Sequence, residues 1–199
     1  RGIRIIKNKF KNFIEIDKNI KVIFDLAESM GVKIWIVGGA LRDYLTNEKV
    51  TDIDFVINED IKKFVKKISK NDIKVKSTFI RYKTVSLIIK DKEYHVTSFR
   101  KDLISYGRSA FVDNALSLKE DVKRRDFTIN SLYLDSEGNL IDLLNGQNDL
   151  LKRKLEFIGN PIERIEEDHL RIIRFCRFSA NFDNIMSKNL KKEITLRVP

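Results

Sequence analysis

Between residues 36 and 57 the chain reads IVGGALRDYLTNEKVTDIDFVI, and its acids, arginine and glycines are spaced for phosphate chemistry. Residues 51–57 alternate as a strand does. Residues two apart on a strand share a face, so Asp52 and Asp54 are expected side by side while Ile53, Phe55 and Ile57 turn to the core. Two carboxylates held that close repel each other unless a cation lies between them. A hard cation such as Mg2+ takes such oxygens together with phosphate oxygens and water. Gly38 and Gly39 end an apolar strand, and a glycine pair lets backbone N–H groups approach a phosphate closely. Arg42 carries a planar fork suited to phosphate oxygens; its plainer role is a structural ion pair with Asp43. Taken singly, a glycine pair is an ordinary turn and Asp-x-Asp a solvated strand edge. In this order and spacing they describe a metal-dependent nucleotidyl-transfer site.

The elements that must position these groups can be read from periodicity and caps. A helix is expected over 17–30, with Asp17 capping its start and Gly31 ending it. A buried strand over 33–37 leads to a short helix over 40–46, then to the carboxylate strand. Residues 59–69 place Ile61, Phe64, Val65 and Ile68 on one helical face. Strands over 83–89 and 93–99 are joined by a tight polar turn at 90–92. Residues 100–122 carry few periodic signals and read as a long irregular loop, mobile around Gly107, Arg108 and Ser109; such loops are often functional. Residues 136–139 form a turn. Asn160, Pro161 and Glu163 make a helix start of the capping-box kind, and a second helix is expected from 167 to about 181. The fold class is therefore α+β: a mixed sheet head with packed helices over 1–140, followed by a helical neck over 141–199.

With 199 residues, 42% of them hydrophobic and 34% charged, the chain can bury a core and stay in solution. No apolar run is long enough to span a bilayer, and no signal peptide is visible. The single cysteine, Cys176, cannot form an internal disulfide, which fits a reducing, cytoplasmic setting, a mitochondrion or other organelle included. The formal net charge of +10 favours polyanions such as RNA, DNA or nucleotides, although a lysine-rich solvated surface accounts for it equally. The chain begins at Arg1 rather than Met, so a processed form or a fragment lacking a C-terminal part is expected.

Gly38-Gly39-Ala40-Leu41-Arg42-Asp43 followed by Asp52-Ile53-Asp54 resembles the first signature of the class II tRNA nucleotidyltransferases and bacterial poly(A) polymerases. Three further blocks agree in order. Arg124-Arg125-Asp126-Phe127-Thr128-Ile129-Asn130 is similar to that family's ribose-selecting motif. Asp142 with Gly146-Gln147-Asn148-Asp149-Leu150 resembles its head-to-neck hinge. Glu167-Asp168-His169-Leu170-Arg171, continued by Arg174, Arg177 and Phe178, resembles its nucleotide-reading helix. The likeness covers roughly residues 20–182.

The resemblance implies that Asp52 and Asp54 are catalytic and hold Mg2+, and that Arg125 and Asp126 contact the ribose hydroxyls, with Asn130 supporting sugar or phosphate. It also implies that Asp168 and Arg171 read C and A as a base-pairing edge would. Residues three apart on a helix share a face, which permits that role and equally permits a plain intrahelical salt bridge. Arg174 can face the nucleotide; Arg177 lies further round the helix. Leu170, Ile173 and Phe178 are expected in the neck core, as are Phe127 and Ile129 in the head, while Arg124 is expected to be solvated. The implied activity is CCA addition to the tRNA 3′ end from CTP and ATP. An A-adding, CC-adding or poly(A) polymerase relative is the alternative, and a non-catalytic RNA-binding module or an aminoglycoside-type nucleotidyltransferase is a more distant one. Two departures stand out. His95-Val96-Thr97-Ser98-Phe99-Arg100 has an imidazole where many relatives read Glu-Val-Thr-Thr-Phe-Arg, and Tyr106 precedes Gly107-Arg108 where an acid is common.

Overall fold

Strict alternation of side chains gives the central strands two buried faces. The computed structural model describes residues 4–6, 10–68, 73–106, 109–114, 117–180 and 182, by backbone alone at 4–6, 101–106 and 109–114. In chain order the elements are β1 (Arg4–Ile6), α1 (Lys11–Glu15), α2 (Lys18–Ser29), β2 (Ile34–Val37), α3 (Gly39–Leu45), β3 (Asp54–Ile57), α4 (Ile61–Ile68), β4 (Lys74–Lys76), β5 (Thr84–Ile89), β6 (Lys92–Ser98), β7 (Arg100–Tyr106), β8 (Ser109–Asn114), α5 (Leu118–Asp121), β9 (Leu132–Leu134), β10 (Leu140–Asp142), α6 (Gly146–Leu151), α7 (Pro161–Glu167) and α8 (Leu170–Ser179). Short 3-10 turns lie at Ile80–Tyr82, Val122–Arg124 and Thr128–Asn130.

Eight strands form one mixed sheet in the order β1-β10-β9-β2-β3-β6-β5-β4, with β3 and β6 parallel and the other named pairs antiparallel. One face carries Ile34, Ile36, Phe55, Ile57, Leu132 and Leu134 into the main core, against Phe24 of α2, Leu41 of α3 and Phe64 of α4. The alternate residues Trp35, Val37, Val56 and Tyr133 turn to the opposite face, where they pack with Phe99 and Val122. In β2, β9 and the body of β3 both faces are covered, so these strands read as nearly continuous apolar runs.

The expected caps at Asp17, Gly31, Asn160 and Pro161 are present, whereas Glu163 closes no capping box on the backbone: its carboxylate accepts from the Asn160 side-chain amide at 3.3 Å. Asp17 accepts the N–H of Asn19 at the start of α2, Gly31 lies at φ +67 beyond its end, and Asn160 accepts the N–H of Ile162 with Pro161 at the first position of α7. Lys90 and Asp91 both have positive φ, as a tight hairpin turn requires.

Four sequence expectations need correction. Residues 100–122 are not irregular: β7 and β8 pair as a separate two-stranded antiparallel sheet, and α5 follows. These two strands pair with each other and join no larger sheet. Gly107 and Arg108 lie outside the described residues. The carboxylate strand starts at Asp54, so Asp52 precedes it. The helix expected from 167 begins only at Leu170, because Asp168 is extended (φ −153, ψ 103) and ends α7. Finally, Leu170 and Ile173 are 39% and 66% exposed rather than packed in a core, whereas Phe178 is buried.

Candidate active site

A cross-strand row organises the site. Register pairs place Tyr133 beside Val37, Val37 beside Asp54, Asp54 beside His95 and His95 beside Ser86, across β9, β2, β3, β6 and β5. Paired residues share a face, so Asp54 and His95 are neighbours on the same side as buried Tyr133. At this end of the sheet a cleft of about 1020 Å³ opens. Gly38, Gly39, Arg42, Asp52, Asp54, Arg125, Asp126, Asn130, Asp168, Arg171, Arg174 and Arg177 all line it. Seven arginines and five aspartates face it in total, which makes it a positive trough with an acidic floor.

Gly38 turns the chain from β2 into α3 at φ +79 and ψ −128, a conformation that favours glycine. Four residues on, the Arg42 guanidinium donates to Asp43 (Nε, 2.8 Å) and to the Asn130 side-chain oxygen (2.6 Å), and it lies 4.8 Å from the centre of the Phe178 ring. The ion pair with Asp43 is thus present, and the Asn130 contact aims the fork across the cleft. Asp54 stays open to the cleft. The protein around it strips hydration and pushes its carboxyl above the ordinary range; His95 and Arg125 pull it back, and Asp52 pushes it up again. Asp52 bonds the Thr51 hydroxyl at 3.2 Å. His95 contacts the Ser86 hydroxyl through Nδ1 at 3.0 Å.

The opposite wall comes from the segment 121–130 and the last two helices. Asp121 is fully buried and was not singled out from the sequence. It accepts from Arg124 (2.8 Å), from Arg125 (3.0 and 3.2 Å) and from the Tyr133 hydroxyl (3.0 Å). Burial raises its pKa, but Arg124 and Arg125 outweigh that and hold it below the ordinary carboxylate range. The clue in the sequence was its spacing, three and four residues before two arginines. Arg124 is consequently not solvated: its side chain is 14% exposed and ion-paired. Tyr133, also missed, accepts from Arg125 at 3.0 Å and stacks on it at 5.2 Å. Arg125 is therefore fixed from two sides, with its terminal nitrogen beside Gly38 in the cleft.

Asp126 receives Arg174 in a two-pronged contact (2.7 and 2.6 Å) and the Asn130 amide at 3.0 Å. Burial pushes it up, but Arg174 and those bonds prevail and hold it low. Phe178 lies within 6 Å of the Arg42, Arg174 and Arg177 guanidiniums, so it serves as a ring platform for cations as well as core. The Asp168 and Arg171 side chains do not pair with each other; only the backbone N–H of Arg171 bonds the Asp168 carbonyl, at 3.0 Å. Asp168 accepts the N–H of Leu170 at 3.0 Å. Arg171 donates to Glu167 (2.7 Å) and to the carbonyls of Arg164 (2.6 Å) and Arg124 (3.3 Å). Arg164 likewise donates to the carbonyls of Arg124 and Arg125. These bonds clamp the last two helices onto the arginine motif.

The arrangement gathers arginines and aspartates on one cleft, a donor set that can take phosphate oxygens and a cation together. Residues 34–156 match the family model described as the poly A polymerase head domain. The chain belongs to that family. Among relatives of this head-domain family, a CCA-adding enzyme of Enterococcus faecalis is 37% identical over 89% of this chain and 42% of its own length. A CCA-adding enzyme of Streptococcus gordonii is 39% identical over 81% of this chain and 40% of its own. The crystal structure of the Bacillus stearothermophilus CCA-adding enzyme in complex with CTP superposes with a TM-score of 0.78 at 27% identity, covering 98% of this chain and 45% of that one. A tRNA nucleotidyltransferase complexed with a primer tRNA and an incoming ATP analogue superposes at 0.68 with 30% identity, over 87% of this chain and 50% of that one. The chain spans about two fifths of the length of the curated relatives it matches. No helix among the described residues is long and apolar enough to cross a membrane.

Proposed function

We propose that this chain is the catalytic head and the start of the helical neck of a CCA-adding tRNA nucleotidyltransferase, which extends a tRNA 3′ end with C, C and A from CTP and ATP. The observation that carries the reading is the placement of Asp52 and Asp54 on the floor of an arginine-walled cleft beside Gly38 and Gly39. The names of the relatives and the CTP and primer-tRNA complexes of the structural neighbours support it. The division between head and neck falls near residue 140, where β10 closes the sheet and Asp142 accepts the N–H groups of Gly146 and Gln147 at the start of α6. A cytoplasmic location suits a tRNA substrate.

The donors fit Mg2+. Asp54 is raised by lost hydration and by the charge of Asp52, a strain that a bound cation relieves. Among the described residues no cluster of three or more ligating side chains exists. Mg2+ characteristically uses one or two carboxylates and completes its shell with water and substrate phosphates. When bound, Mg2+ supplies acidity to the attacking 3′-hydroxyl and neutralises the triphosphate. The chain does the rest. Asp52 and Asp54 hold the cation against the floor. Arg42, oriented by Asp43 and Asn130, pairs with phosphate oxygens. Arg125, Asp126 and Asn130 face the ribose. Arg174, held by Asp126, and Arg177 line the nucleotide side, and Asp168 and Arg171 meet the base.

The test is incorporation. The chain is incubated with Mg2+, one labelled NTP at a time, and tRNA transcripts lacking CCA or lacking only the terminal A, or an unrelated oligo(A). C and A incorporation that stops at the completed CCA end is the expected result. Long A tails would instead identify a poly(A) polymerase. RNA binding without incorporation would identify a binding module.

A further inference from the structure

Phe79 is the one aromatic residue among the exposed large hydrophobics of the described residues, at 47% exposed. It lies in the wall of the cleft, yet none of the residues proposed above to hold the nucleotide stands on its side. The sheet order explains why. Gly38, Arg42, Arg125 and Asn130 lie toward β2 and β9, on one side of Asp54. Phe79, Thr84, Thr97 and Arg100 lie toward β6 and β5, on the other. Nucleotidyl transfer is an in-line displacement, in which the attacking oxygen and the departing pyrophosphate occupy opposite sides of the phosphorus. A triphosphate on the β2 side therefore leaves the β6 side for the strand that attacks.

Phe79 is well built for that position. Its carbonyl accepts the N–H of Tyr82 at 2.9 Å and of Thr84 at 3.3 Å, so its backbone is fixed at the start of the turn Ile80–Tyr82. Thr84 and Thr97 share a hydroxyl contact of 2.9 Å in the register row of Val56, two residues along β3 from Asp54. An apolar ring in a wall of hydroxyls and arginine matches a nucleic acid end, which presents a π-face and a phosphate together.

We propose that Phe79 is the platform on which the 3′-terminal base of the RNA acceptor stacks, a positioning residue that aims the terminal 3′-hydroxyl across Asp54. This rests on the nucleotidyl-transfer reading. A short RNA hairpin with 2-aminopurine as its 3′-terminal base reports stacking by fluorescence quenching, and an unlabelled hairpin reports addition. Phe79→Ala is expected to lose the quench, to raise KM for RNA about tenfold and to lower kcat, because a less well aimed hydroxyl attacks more slowly, with the KM for CTP or ATP nearly unchanged. Phe79→Trp should restore both readouts and Phe79→Leu should restore neither. A quench retained in Phe79→Ala, a Leu variant equal to wild type, or an equal rise in KM for CTP would each overturn the proposal. Wild type that adds no nucleotide to any RNA removes the transfer reading itself. Addition with an RNA KM untouched by Phe79→Ala sinks only the role of Phe79.

Discussion

Asp121→Asn is the sharpest test of how the site is held. Asp121 has no exposed side-chain surface and takes five protein donors: Arg124 Nε, Arg125 Nε and a terminal nitrogen of Arg125, the Tyr133 hydroxyl, and the backbone N–H of Arg100 at 3.4 Å. The substitution keeps the shape but removes the charge and turns one acceptor into a donor among donors. Two guanidiniums, 14% and 13% exposed, then lose their counter-ion. Breaking a buried pair on one side costs about 3–5 kcal/mol, which for a domain of this size lowers Tm by roughly 6–20 °C. The pH dependence follows from the sign of the shift. The fold holds Asp121 below its ordinary pKa, so its contribution is fully present above about pH 4 and fades as pH falls through the lower folded value. Thermal melts of wild type and variant should differ most near pH 7 and converge in acid. Arg125 should also lose its aim, so affinity for CTP should fall in equilibrium binding below the variant's melting temperature. A Tm within 2 °C of wild type at pH 7, or a gap that widens in acid, would refute the assignment of Asp121 as the charged anchor.

Other variants probe separate links. Gly146→Ala would put a Cβ 2.2 Å from the Thr128 carbonyl oxygen, a backbone atom; α6 must shift, and denaturant unfolding should show a loss of about 3 kcal/mol, the upper range for overpacking. Asp54→Asn should abolish incorporation. His95→Glu places a third acid beside Asp54 in the register and should preserve or raise turnover, so a large loss in a well-folded variant would exclude a vacant third ligand position.

Much of this was legible in sequence because its causes are local. The alternation of 34–37 and 54–57, the caps Asp17 and Asn160, and the need for glycine at Gly38 depend on neighbours a few residues away. The residues of the cleft were legible as types in an order, and the resemblance supplied their roles. Less visible was whatever a long-range partner decides. Asp52 reads as part of a strand, yet pairing begins only at Asp54, where Val37 and His95 supply neighbours on both sides. Leu170 and Ile173 have helical spacing, but spacing alone does not say which face meets the core.

The sequence by itself determined the α+β order of elements, the positive charge and the pairing of glycines with acids, since propensity, charge and periodicity are properties of the chain. Only the tertiary structure decided which charges meet. Asp121 became the anchor of Arg125 because β9 brings Tyr133 beneath it. Asp168 parted from Arg171 because the chain extends at 168 and the last helices instead grip the carbonyls of Arg124 and Arg125. A buried charge takes the partner that the fold places within reach, and in this chain those partners lie as many as 88 residues apart in sequence.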